Sequence, residues 1–197
     1  MEKVILASNN MGKIKEFREI LKDMDIELVS MKEAGIDVDI EEYGRTFSEN
    51  ALIKARTISE MTGCVTLADD SGLEVDYLDK APGVYSARYM GEDTPYTVKN
   101  NHIIELLKDA RGVERSARFV CVIACVMPDG NVITTRGTIE GQIGYEEKGE
   151  NGFGYDPIFY LPEKGCTTAE LSPEDKNEIS HRGRALTAMY KKLEGVL

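Results

Sequence analysis

"VILASNNMGKIKEF", residues 4–17, runs from a short apolar stretch through three small polar residues, then a glycine and a lysine, into helical spacing. Residues 3–8 read as a buried strand. Ile14, Phe17, Leu21 and Met24 share one face of a helix over 11–24. Ser, Asn and Gly are ordinary turn residues, and Asn10 is also a candidate helix cap. The same loop suits a phosphate, because a helix start offers backbone N–H groups and a partial positive charge. Lys13 lies in that first turn, where the helix dipole disfavours a cation unless an anion faces it. A P-loop needs G-x-x-x-x-G-K-[ST]. Here Ala7 stands at the first Gly and Ile14 follows Lys13, so any metal ligands must come from elsewhere.

Working outward, strand and helix patterns alternate. Residues 26–30 suggest a second strand. Thr46-Phe47-Ser48-Glu49 has the form of a capping box, opening a helix that carries Leu52, Ala55, Ile58 and Met61 and stops at Gly63. "CVTLA", 64–68, reads as a strand buried on both faces, and the alternation of Leu73, Val75 and Tyr77 as another. Thr94-Pro95 starts a helix to about Lys108, with Pro95 at its first position. Two β segments, 117–127 and 131–140, flank the hairpin signal "PDGN". A Gly-rich acidic loop covers 141–156. Ser172-Pro173 begins a short helix, and a last helix runs from His181 to Leu193, with Ser180 a candidate cap. Early strands, a late hairpin and intervening helices imply an α/β fold with a mixed sheet.

The 197 residues suit a single domain with a proper core, at 42% hydrophobic and 30% charged residues. No stretch approaches a membrane span, and the first residues lack the layout of a signal peptide. Cys64, Cys121, Cys125 and Cys166 form no C-x-x-C pair and read as reduced thiols of a cytosolic protein. The net charge of -11 argues against polymeric nucleic acid as a partner, though not against a small polyanion met by local cations.

Four stretches can carry chemistry. In "LADDSGLEV", 67–75, an apolar strand delivers Asp69 and Asp70 at its end. Adjacent strand residues point to opposite faces, so one carboxylate can enter a pocket while the other braces the backbone. Two acids behind a buried strand repel each other without a cation. The bland alternative is a polar turn. Glu41 and Glu42 in "IEEYGRTF" read as a solvated acidic loop or, with Asp70, as a Mg²⁺ site. In "NGFGYDP", Gly152 and Gly154 allow close approach to a ligand, and Phe153 or Tyr155 could stack on a base; a tight aromatic turn is the alternative. Lys176, His181, Arg182 and Arg184 gather cations within one short span. Together these suit a nucleoside triphosphate with Mg²⁺.

The chain resembles the inosine triphosphate pyrophosphatase family, the non-canonical purine NTP pyrophosphatases that act on dITP and XTP. The resemblance rests on "ASNNMGKIKE", "TFSENALIKA", "ADDSGLEVD", "APGVYSARY", "GFGYDPIF" and "ELSPEDKNEISHRGRAL" and runs end to end. Many relatives carry Thr-Gly-Asn where this chain has Ser8-Asn9-Asn10; the hydroxyl and Asn10 are kept. The resemblance implies an elongated α/β fold with a long mixed sheet flanked by helices and two lobes with a central cleft. It implies a cytoplasmic homodimer that hydrolyses ITP, dITP and XTP to monophosphate and pyrophosphate with Mg²⁺. Ser8, Asn9, Asn10 and Lys13 match the triphosphate loop and Lys54 a further phosphate contact. Asp70 matches the catalytic acid and metal ligand, and Glu42 the other metal carboxylate, with Glu41 beside it leaving the register open. Ser71 matches a substrate contact. Phe153, Gly154, Tyr155, Asp156, Lys176, His181 and Arg182 match the nucleoside side. As donors, His181 and Arg182 suit a 6-oxo purine over adenine. Two rivals remain: a modified-pyrimidine pyrophosphatase of the septum-inhibitor type, which opens with a Ser-Pro-Arg-Arg loop absent here, and a nucleotide-sensing module without turnover, against which intact Asp70 and Glu42 argue.

Overall fold

The computed structural model describes residues 2–196. Its main elements are β1 (Glu2–Leu6), α1 (Met11–Leu21), β2 (Ile26–Ser30), α2 (Phe47–Thr62), β3 (Val65–Val75), α3 (Tyr96–Leu106), β4 (Ser116–Val126), β5 (Val132–Ile143), β6 (Phe159–Leu161), β7 (Cys166–Thr167), α4 (Pro173–Ile179) and α5 (His181–Leu193). The strands form one sheet in the order β2-β1-β3-β4-β5-β6-β7. β1 pairs in parallel with β2 and β3, while β6 pairs antiparallel with β5 and β7, so the sheet is mixed as expected. Among the described residues, no helix is long and apolar enough to cross a membrane.

Local chemistry explains the element ends. Asn10 caps α1 by accepting from the Lys13 N–H at 3.1 Å. Thr46 caps α2 through the Glu49 N–H at 3.1 Å, and Gly63 closes it in the left-handed region at φ 65°. Ser172 caps α4 through the Asp175 N–H. Between β4 and β5 the Met127 N–H meets the Asn131 carbonyl at 2.9 Å, closing the expected hairpin.

Several expectations are corrected. The strand expected over 3–8 ends at Leu6, although the Ala7 N–H still reaches the Leu67 carbonyl at 2.8 Å. The helix expected to 24 ends at Leu21, with Met24 packed partly buried beyond it. The two strands expected at 64–68 and 73–77 are one, β3, so Asp69 and Asp70 lie within a strand and not at its end. The polar pair stays extended because each side chain finds partners of its own, described below. Tyr77 falls in a 3-10 turn, Asp76–Leu78. Pro95 is the cap of α3 and not its first residue, because its backbone is extended at ψ 141°. β5 runs on to Ile143, so the loop begins after it. On α2 the buried face is Phe47, Asn50, Ala51, Lys54, Ala55, Ile58 and Ser59; Met61 points to solvent, at 58% exposure.

The chain forms two compact units, residues 2–70, 121–137 and 181–196 in one and 71–120 with 138–180 in the other. The first has a core of Val4, Leu6, Phe17, Leu67, Ile123, Leu186 and Met189, among others. The core of the second includes Leu73, Ile103, Leu107, Phe119, Ile143 and Phe159. β3, β4 and β5 each contribute residues to both. Cys64, Cys121, Cys125 and Cys166 are free thiols; burial pushes Cys125 up to about 12.

Candidate active site

β1 and β3 pair in parallel as far as Leu6 and Leu67. Beyond that point β1 turns through Ser8-Asn9-Asn10 into α1, and β3 continues into Asp69 and Asp70. The carboxyl end of a parallel pair is where α/β sheets gather ligand-binding groups. Within the loop the Asn10 N–H donates to Ser8 Oγ at 3.2 Å. The anion that the Lys13 position demands is supplied from inside the protein: Lys13 Nζ lies 3.0 Å from Asp69 Oδ2. Arg182, in the first turn of α5, is also buried; its Nε donates to Asp69 Oδ2 at 3.4 Å, and its Nη1 pairs with Glu16 of α1. Full burial opposes the ionised form of Asp69, but Lys13, Arg182 and Lys54 outweigh it and hold the carboxyl below its usual range. The same carboxylates hold the Arg182 guanidinium above its ordinary value against its burial.

Asp70 has different company. Asn50 Nδ2 donates to Asp70 Oδ2 at 3.1 Å, and Lys54 Nζ stands 3.7 Å from Oδ1. Lys54 also meets Glu42 Oε1 at 2.9 Å. Burial, reinforced by the Glu42 charge, pushes Asp70 up to about 6 in spite of Lys54, Lys13 and Asn50. Burial pulls Lys54 the other way, and Asp70, Asp69 and Glu42 overcome it to raise its pKa. Of the two acids in "IEEYGRTF", Glu42 reaches this cluster while Glu41 is exposed. The approach depends on Gly44. Its N–H donates to Asn50 Oδ1 at 2.8 Å, and a Cβ there would lie 2.5 Å from that oxygen and 2.7 Å from Glu49 Cβ.

Ser71 follows Asp70 in β3 and is half-buried. His181 opens α5 and is buried. Phe153, Gly154, Tyr155 and Asp156 form a turn before β6. The buried Asp156 carboxylate accepts from the Phe153 N–H at 2.8 Å, Lys176 Nζ at 2.7 Å and Thr168 Oγ1 at 2.8 Å. Lys176 thereby lies 5.0 Å over the Phe153 ring. Gly152, at φ 74°, leaves room for this; a Cβ would come within 2.2 Å of Asp156 Oδ2. Phe153 and Tyr155 part ways here. Tyr155 packs into the core and donates to the Ser86 carbonyl, whereas Phe153 is only half-buried beneath Lys176.

The structure therefore gathers Ser8, Asn10, Lys13, Asp69 and Arg182 around the start of α1, and Glu42, Lys54 and Asp70 around Asn50. It also gathers Phe153, Asp156 and Lys176 into one turn. Sequence reasoning did not single out Asn50, Glu16, Asp69 as an ion-pair anchor, or Thr168. For Asn50 a signal exists, since Asn50 and Lys54 at i, i+4 share one face of α2.

A model of the Ham1 family matches residues 4–192. The chain belongs to the Ham1 family. This Ham1 chain is 48% identical over 203 aligned residues to the dITP/XTP pyrophosphatase of Clostridium perfringens, covering all of both chains. It is 52% identical to that of Desulforamulus reducens, covering 93% of this chain and 92% of the other. Among solved structures, a HAM1 protein from Coxiella burnetii superposes with TM-score 0.90 at 44% identity, covering 99% of this chain and 100% of that one. The Staphylococcus aureus Ham1 protein does so with TM-score 0.88 at 41% identity, covering both chains in full. The mixed seven-stranded α/β architecture is thus that of known Ham1 structures.

Proposed function

We propose that this chain, acting as a single domain, hydrolyses the non-canonical purine nucleoside triphosphates ITP, dITP and XTP to monophosphate and pyrophosphate. The observation that carries the reading is the pair of adjacent carboxylates. Asp69 is locked on Lys13 and Arg182, and Asp70 is buried beside Lys54, Glu42 and Asn50. The substrate class follows the name carried by the Clostridium perfringens and Desulforamulus reducens relatives. Ser8, Asn9, Asn10, Lys13 and Lys54 are assigned to the triphosphate, with Ser71 a further substrate contact. Phe153, Gly154, Tyr155, Asp156, Lys176, His181 and Arg182 are assigned to the nucleoside. The protein is assigned to the cytoplasm as a homodimer.

Mg²⁺ is the proposed cofactor. Two carboxylates converging on one ammonium make a hard oxygen set that suits it, and burial plus the Glu42 charge raises Asp70 although Lys54 is beside it. Glu42 and Asp70 would hold the ion, which when bound supplies charge neutralisation at the phosphates and a more acidic water. The Asp70 carboxylate, held by Asn50 and Lys54, accepts a proton from the water that attacks the α-phosphorus. Lys13 and Lys54 stabilise the charge that develops on the departing pyrophosphate. Asp69 keeps the Lys13 ammonium in place, and Asn50 orients the Asp70 carboxyl.

The test is a panel of ITP, dITP, XTP, GTP, ATP, dTTP and UTP, with and without Mg²⁺, scored for pyrophosphate against orthophosphate. Mg²⁺-dependent pyrophosphate release from ITP, dITP and XTP, well above ATP, is expected. Orthophosphate as the first product, or best turnover on dTTP or UTP, overturns the reading.

A further inference from the structure

The turn 153–156 is held by contacts that play no part in the chemistry proposed above. The Tyr155 hydroxyl donates to the Ser86 carbonyl at 2.6 Å, and its ring meets Tyr96 of α3 edge-on at 5.2 Å. Lys99, fully buried, donates to the neighbouring Ala87 carbonyl at 2.7 Å and lies 4.8 Å from the centre of the Tyr96 ring. One residue further along α3, Asn100 is 1% exposed. Its Nδ2 donates to the Gly154 carbonyl at 3.3 Å and to Glu147 Oε1 at 2.7 Å. Its Oδ1 is buried and meets no donor among the described residues.

The buried Oδ1 offsets part of what the two Nδ2 hydrogen bonds contribute to stability. What the amide contributes is its two N–H groups, spent on two points of the loop between β5 and β6. Gly154 stands at φ 66°, a residue whose backbone enters either hand freely, so its carbonyl direction is otherwise loosely specified. The Asn100 hydrogen bond removes that freedom one residue away from Phe153 and two from Asp156.

We propose that Asn100 is a positioning residue for nucleoside recognition. By holding the Gly154 carbonyl and the Glu147 carboxylate, it fixes the 153–156 turn in the form that presents the Phe153 ring and the Lys176 ammonium to the base. The proposal rests on the pyrophosphatase reading and deepens it.

Asn100→Ala, Glu147→Ala and the double variant are compared in steady-state turnover of ITP. Inorganic tripolyphosphate, as a competitive inhibitor, reports on the triphosphate end alone. Loss of one net hydrogen bond raises KM for ITP roughly 3- to 10-fold in Asn100→Ala. Because the contact serves binding and not the reacting atoms, kcat stays within about twofold. The tripolyphosphate inhibition constant is unchanged, and the double variant is no worse than Asn100→Ala alone. A wild-type KM in Asn100→Ala overturns the proposal, as does a parallel loss of kcat and tripolyphosphate affinity, the mark of general disorder. Additive effects of the two single variants also overturn it. Absence of pyrophosphate release from ITP by the wild-type protein overturns the underlying reading instead, and the proposal with it.

Discussion

Asp69 and Asp70 are the same side chain at consecutive positions, and burial acts on both, yet they titrate in opposite directions. Two cations close on Asp69, so its ionised form is the stable one; its contribution is present above the usual carboxylate range and is lost as pH falls. Asp70 is raised to about 6, so the fold favours its protonated form. Its contribution is complete below the unfolded value near 4 and is lost as pH rises through 6. Asp70→Asn therefore separates function from stability. Turnover falls by at least roughly 10²- to 10⁴-fold, the usual worth of a general base. Without Mg²⁺ the variant matches wild type near pH 4 but is more stable by about 2–3 kcal/mol above pH 7, at ~1.4 kcal/mol for each pH unit that separates the folded from the unfolded value. Denaturant melts from pH 4 to 8 check this; a wild-type advantage at pH 8 sinks it. Lys13 behaves otherwise. A cation at a helix start without an internal partner could be removed at no cost to stability, but Lys13 is paired with the buried Asp69. Lys13→Met leaves that carboxylate to Arg182 and costs about 1.5–3 kcal/mol, the usual worth of a hydrogen bond to a charged group. Lys13→Met with Asp69→Asn recovers part of the loss, and no recovery in the double variant would count against the pairing.

At the scale of elements, α2 organises the Glu42–Lys54–Asp70 cluster proposed to hold the metal. Thr46 and Gly63 set its ends, and both signals were legible in the sequence because caps depend on neighbouring residues only. The face that α2 buries was legible in its apolar part only. Apolar spacing pointed to Ala55 and Ile58, which are buried, and to Leu52 and Met61, which are not, whereas Asn50 and Lys54 turn inward because Asp70 and Glu42 wait there. The preceding loop reaches α2 only because residue 44 has no side chain. Gly44→Ala pushes the loop off the first turn of α2 and withdraws Glu42 from Lys54. The protein stays folded, while the Mg²⁺ concentration for half-maximal turnover rises about tenfold or more, as when the shell around a metal ligand is lost. An unchanged Mg²⁺ dependence in the folded variant removes Glu42 from the metal site. Thr46→Ala costs about 0.5–2 kcal/mol in a thermal melt with much less effect on the metal, which separates loss of a cap from loss of the loop.

At the scale of the whole molecule, two hydrophobic cores are threaded by the same three strands. Phe17 lies in one core and Phe159 in the other, both fully buried. Either residue cut to alanine costs about 3–5 kcal/mol. Because β3, β4 and β5 each carry residues of both cores, we expect both variants to lower one shared unfolding transition. Calorimetry that resolves two transitions, with only one moved by each substitution, rules this out.

The sequence by itself determined the α/β class, the positions of most elements to within a few residues, the hairpin and the caps. Each of these depends on periodicity or on residues a few places apart. Residue types and spacing also brought Lys13, Asp70 and the pair Glu41 and Glu42 forward as chemistry-bearing positions, and the family resemblance added Lys54. Only the tertiary structure decided the rest. It joined two apparent strands through Asp69 and Asp70, because cations from α1 and α5 meet one side chain and groups from α2 meet the other. It chose Glu42 over Glu41 for contact with Lys54, and put Phe153 under Lys176 while sending Tyr155 into the core. These outcomes turn on which charge or ring faces which across long separations in the chain, and no local pattern encodes that.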